Sequence, residues 1–101
     1  MAKWADYVII AVRDSRDPKH IERVRVRQDN GPSLSAPFEL TRNQVVSKIE
    51  DDHKTFCTAY LKDGTLHRGT DVHVVTVNGT KYIRTDKDKT EADNLGQLPK
   101  F

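Results

Sequence analysis

Residues 71–85 read Asp-Val-His-Val-Val-Thr-Val-Asn-Gly-Thr-Lys-Tyr-Ile-Arg-Thr. Two β-branched runs flank Asn78-Gly79, the strongest short-range signal for a two-residue type I′ hairpin. Both central residues of that turn need positive φ, which costs Gly nothing and Asn little. The loop length sets the register: Val77 faces Thr80, Val75 faces Tyr82, Val74 faces Ile83 and His73 faces Arg84. Strand alternation then puts Val72, Val74 and Ile83 on one side and Val75, Val77 and Tyr82 on the other. Apolar residues on both sides predict a hairpin placed centrally in a sheet, with at least partial cover on each face.

Outward from the hairpin, residues 7–12 (Tyr-Val-Ile-Ile-Ala-Val) form a short apolar run that suits a buried strand. Polar turn material around Pro18 follows. Residues 21–28 then alternate, with Val24 and Val26 on one face and Arg23, Arg25 and Arg27 on the other, as in an antiparallel strand with one buried side. Residues 33–39, preceded by Pro32 and containing Pro37, show little periodicity and read as a loop. Thr41 and Gln44 have capping-box spacing, and Leu40 can staple onto Val45. A helix of about three turns is predicted from there to Asp51 or Asp52. Residues 54–62 alternate again, Phe56, Thr58 and Tyr60 against Cys57, Ala59 and Leu61. Asp63-Gly64 is a second two-residue turn that pairs Leu61 with Leu66 and Tyr60 with His67. Its return strand is expected to be short, interrupted by Gly69 and Thr70. After a charged run at 86–91, Leu95, Leu98 and Phe101 are expected to dock as an irregular tail over exposed sheet.

The chain has 101 residues, 36% hydrophobic and 32% charged, which predicts one domain with a thin core. Seventeen basic and 15 acidic residues give a net charge of +2, with 9 basic and 7 acidic residues in positions 1–50 and 8 of each in positions 51–101. No concentrated positive field makes nucleic acid the default partner. Cys57 is the only cysteine, so no intramolecular disulfide can form. No apolar run has the length of a signal peptide core or a membrane span. The expectation is a cytoplasmic protein with no membrane partner.

The row Arg23, Arg25, Arg27 is the most pointed chemical feature. Guanidiniums two residues apart on a strand can grip phosphates or carboxylates. The plainer alternative is a solvated face whose charges pair with Glu22, Asp17 or tail acids. Trp4 with Tyr7 can stack on a base or a partner surface, though such a tryptophan more often lids a thin core. His20, His53, His67 and His73 match no zinc spacing, so no metal is expected. Cys57 lies mid-strand among apolar neighbours, where a thiol is usually inert. There is no phosphate-binding Gly-rich loop, no nucleophile elbow and no carboxylate pair placed for acid–base work.

Several segments together resemble a family of short bacterial proteins described as a domain of unknown function. They are Trp-Ala-Asp-Tyr-Val-Ile at 4–9, His20-Ile21 with Val24 and Val26, Asp-Val-His-Val-Val at 71–75, Val-Asn-Gly-Thr-Lys-Tyr-Ile-Arg-Thr-Asp at 77–86, and Thr-Glu-Ala-Asp-Asn-Leu-Gly-Gln-Leu-Pro at 90–99. The resemblance implies one domain over residues 1–101 with the tail as an integral part. It brings no activity and no catalytic residues.

The fold expected is α+β: about five mainly antiparallel strands in a curved sheet or partly closed small barrel. One short helix lies between strands two and three, and the C-terminal tail docks irregularly. The function expected is a non-enzymatic binding or regulatory module acting through a protein surface, without a cofactor. The alternative is binding of nucleic acid or a phosphorylated ligand by Arg23, Arg25 and Arg27, helped by Arg84, Trp4 and Tyr7. A thin core and free sheet edges are also compatible with a homodimer.

Overall fold

The computed structural model describes residues 4–16, 20–31, 33–85, 93, 95 and 98–101. Among them the chain runs β1 (Tyr7–Asp14), β2 (Ile21–Gln28), β3 (Phe38–Thr41), α1 (Arg42–Glu50), β4 (Phe56–Lys62), β5 (Thr65–Asp71), β6 (His73–Val77) and β7 (Thr80–Arg84). Five strands make an open sheet in the order β3-β2-β1-β4-β5, and β6 and β7 make a separate two-stranded sheet. The five-stranded sheet is not closed into a barrel. The charged run at 86–91 lies outside the described residues.

The hairpin has the predicted register throughout, from His73 opposite Arg84 to Val77 opposite Thr80. Asn78 and Gly79 have φ of 51° and 81°, as a type I′ turn requires. Its placement differs from expectation, because it stands beside the main sheet instead of at its centre. Both its faces are nevertheless used: Val72, Val75, Tyr82 and Ile83 are buried, and Val74 packs against the core.

The segment read as a loop ends in β3, which pairs with β2 through Val24 opposite Leu40 and Val26 opposite Phe38. Pro37 sits just before β3 and so costs the ladder nothing, which is why a proline here does not exclude a strand. The helix accordingly follows β3 and not β2. Thr41 accepts a hydrogen bond from Gln44 N at 3.2 Å and Gln44 Oε1 accepts one from Thr41 N at 2.8 Å, completing the capping box.

One irregularity decides what each face carries. In β1 the ladder with β2 shifts between Ile9 and Ala11, so Ile10 is an inserted residue. Before it Ile9 opposes Val26; after it Ala11 opposes Arg25, Val12 opposes Val24 and Arg13 opposes Arg23. The inner face therefore collects Ile9, Val12, Val24, Val26, Leu40 and Phe56, with Val45 of α1, Ile83 of β7 and Leu95 and Leu98 packed onto them. Each such fully buried aliphatic side chain contributes about 1.5–3 kcal/mol relative to exposure. The bulge moves Arg13 to the outer face, into line with Arg23, Arg25 and Arg27. Among the described residues, no helix is long and apolar enough to cross a membrane.

Candidate functional site

The outer face of the five-stranded sheet holds the candidate site. β1 and β4 pair in parallel only from Tyr7 opposite Phe56 to Ile9 opposite Thr58. Beyond the bulge, β1 exchanges partners: Val12 N donates to Pro99 O at 2.9 Å, and Phe101 N donates to Val12 O at 3.1 Å. The β4–β5 hairpin carries on past this point to its Asp63-Gly64 turn. A cleft of about 280 Å³ opens where β4 leaves β1, floored by Ile10, Ala11, Ala59 and Leu66 and flanked by Leu61 and Pro99. Arg25 and Arg27 stand at its rim. Leu61 is 72% exposed and Tyr60 47%, so the hairpin tip offers apolar surface that the fold does not use.

The arginines are held in place. The Phe101 ring lies against two of them, with the Arg25 guanidinium carbon 4.4 Å and that of Arg13 5.1 Å from its centroid. Arg13 Nε also donates to Phe101 O at 3.1 Å, and Arg27 Nε to Ser35 O at 2.8 Å. Among the described residues, Arg23, Arg25 and Arg27 form no ion pair, and Asp17 lies outside them. A guanidinium stacked on a ring and bonded through Nε keeps its planar orientation at little further entropic cost.

The other residues singled out from sequence are placed apart from this row. Tyr7 is on the inner side, stacked on Phe56 at 4.9 Å and edge-on to Phe38 at 6.3 Å. Arg84 is buried in the hairpin at 5% exposure. Trp4 is half-buried and covers the cluster of Ala5, Val8, Cys57 and Ala59 at the closed end of the outer face, its N donating to Asp29 Oδ2 at 2.7 Å. Cys57 is fully buried there. Burial pushes its thiol above the ordinary value, and Arg68 opposes this only in part through its charge and a hydrogen bond. The histidines serve different elements: His20 stacks on Tyr82 and His67 on Tyr60, both at 5.5 Å, while His73 faces Arg84. Among the described residues, no three His, Cys, Asp or Glu side chains come together as a metal site would need.

Sequence reasoning missed the main polar cluster of the interior. Asp93 has a fully buried side chain. Its Oδ2 accepts from Ile21 N at 2.8 Å and Arg42 Nε at 2.7 Å, and its Oδ1 accepts from Ile83 N at 2.9 Å. His20 Nδ1 lies 3.7 Å from Oδ2. Arg42 in turn lies over Tyr82, 5.7 Å from its centroid, and donates to the Lys81 carbonyl. One carboxylate thus ties the tail to β2, α1 and β7. Nothing in an isolated aspartate on a polar tail distinguishes it from a solvated one; the family resemblance of residues 90–99 implied only that the tail is an integral part of the domain.

Residues 8–99 match the family described as Protein of unknown function (DUF3892), and the chain belongs to that family. No curated protein and no solved structure matches it.

Proposed function

We propose that this member of the family is a non-enzymatic binding module that takes hold of a protein partner through the outer face of its five-stranded sheet. The observation that carries this reading is the arginine row bordering an apolar cleft. Arg13, Arg23, Arg25 and Arg27 share one face, and two of them rim a cavity beside the exposed Leu61. Charge next to unused apolar surface is the composition of protein-recognition patches, where arginine and aromatic residues are enriched. The non-enzymatic part rests on what lines the cleft. Aliphatic side chains, one tyrosine and two guanidiniums provide no group that exchanges a proton near neutral pH.

The test is affinity capture from lysate with the intact protein beside the double variant Arg25→Glu/Arg27→Glu. A partner recovered by the first and lost by the second is the expected result. Equal recovery by both, or no specific partner at all, overturns the reading.

A second reading uses the same arginines for nucleic acid or a phosphorylated ligand, favoured by the Phe101 ring held among guanidiniums as a stacking platform. It ranks second because a net charge of +2 is a weak field for gathering a polyanion. Fluorescence anisotropy with a single-stranded oligonucleotide decides it: this reading requires affinity that falls steeply with salt.

A further inference from the structure

The cleft between β4 and the C-terminal segment is bordered on both sides by main chain that faces no strand. On one wall, the two-residue turn Asp63-Gly64 makes Lys62 opposite Thr65 a hydrogen-bonded pair, and by alternation Tyr60 opposite His67 another. Leu61, opposite Leu66, falls between them and turns its N–H and C=O away from β5 toward the cleft. On the other wall, Val12 bonds to Pro99 and Phe101, the two neighbours of Lys100. In a parallel bridge of this kind Lys100 directs its own N–H and C=O away from β1. Among the described residues, no strand pairs with β4 on that side beyond Thr58.

We propose that this cleft is a strand-addition site that takes an extended segment of a partner protein with alternating acidic and apolar residues. The inference rests on the outer-face binding reading and specifies the partner's form. Three observations choose this occupant. Both walls offer main-chain donors and acceptors, which an extended peptide satisfies and a compact ligand or a nucleic acid does not. The chain's own Pro99–Lys100–Phe101 segment already docks on β1 by main-chain bonds, so the region accepts added strands. Finally, Arg25 and Arg27 rim the cleft and no acidic side chain among the described residues lines it, so acidic residues complement it. Alternate side chains of an inserted strand would stand on the outer face beside these guanidiniums, and the others beside Tyr60.

The test uses a synthetic peptide, acetyl-Glu-Val-Glu-Val-Glu-Val-Glu-amide, with its Lys-for-Glu counterpart and a version N-methylated at alternate residues. Binding to the full chain is read by NMR titration together with amide exchange at Leu61. The expected result is saturable binding of the acidic peptide, at least tenfold weaker binding of the other two, and slowed exchange of the Leu61 amide. Leu61→Pro removes the cleft-facing N–H without a loss to the β4–β5 ladder, and is expected to weaken binding while the melting temperature holds. If the N-methylated peptide binds as well as its parent, strand addition is overturned while the outer-face reading stands. Failure of the acidic peptide to bind also overturns strand addition, leaving the capture experiment to judge the broader reading. If the peptide binds Arg25→Ala/Arg27→Ala as tightly as wild type, both fall.

Discussion

The two faces of the five-stranded sheet are made by the same strands and perform opposite work. Inward, Ile9, Val12, Val24, Val26 and Phe56 are sealed under α1, the hairpin and the tail. Outward, the alternate positions bring Ala11, Arg13, Arg23, Arg25, Arg27, Leu61 and Leu66; among the described residues Ala11 is buried and Phe101 lies against Arg13 and Arg25, while Leu61 stays exposed. Under the binding function proposed above, the inner face carries stability and the outer face carries recognition. Changes on the inner side should unfold the protein, and changes on the outer side should alter what it holds.

The largest test of that division is Asp93, a carboxylate sealed on the inner side. Asp93→Ala strands the half-buried Arg42 and leaves the N–H groups of Ile21 and Ile83 without their acceptor. Removing one member of a buried ionic cluster costs about 3–5 kcal/mol. Urea denaturation should show the midpoint falling accordingly, with Asp93→Asn recovering only part of the loss. A midpoint within error of wild type would mean that the tail does not fasten the inner face.

A smaller effect is expected where the sheet bends. Gly69 lies so close to Thr58 that an added Cβ would press on Thr58 Oγ1 and sit 3.1 Å from its carbonyl oxygen. Thr70 N donates to that same Oγ1 at 3.0 Å, so the hydroxyl cannot simply rotate aside without losing a bond. Gly69→Ala should therefore cost about 1–3 kcal/mol as an overpacked site, read again by denaturation. Combining it with Thr58→Ala, which makes room, should return part of that loss.

How far all this was legible follows from the range of the interactions. The type I′ turns, the hairpin register and the capping box depend on residues within a few positions of one another, and all were readable. β3 was not, because its four residues are extended only by pairing with β2. The bulge at Ile10 was invisible for the same reason: residues 7–12 are apolar on both faces, so no alternation betrays a change of phase. That hid the addition of Arg13 to the arginine row, although Arg23, Arg25 and Arg27 themselves were plain. Asp93 was the hardest, since its partners stand 10, 51 and 72 residues away.

At the helix start the expected cost falls further. Thr41→Ala removes the acceptor for Gln44 N and should lower stability by about 1 kcal/mol, measurable as a modest drop in melting temperature. On the outer face the effect on folding should nearly vanish. Arg25→Ala removes stacking on Phe101 but no buried partner, so its stability should stay within about 0.5 kcal/mol of wild type. Partner capture should nevertheless fall. A variant that lost both together would erase the division between the faces.

Cys57 sharpens the comparison most finely, because it belongs to the outer face yet lies at its sealed end beneath Trp4. Its thiol is pushed above the ordinary value chiefly by burial. The neutral form is therefore favoured in the folded protein, and this contribution to stability is complete below the ordinary thiol pKa. It is lost as pH climbs from there through the raised folded value, with a slope of at most about 1.4 kcal/mol per pH unit. Lys81, held by Glu50, is shifted up too and gives the same sign, so the wild-type decline alone does not isolate the cysteine. The difference between wild type and Cys57→Ala does: the variant should lose less stability between about pH 8 and 10. Iodoacetamide at neutral pH should label Cys57 slowly in the native protein and fully in denaturant. Rapid native labelling would mean that the cleft runs beyond Ala59 to the closed end, and that the outer face is open along its whole length.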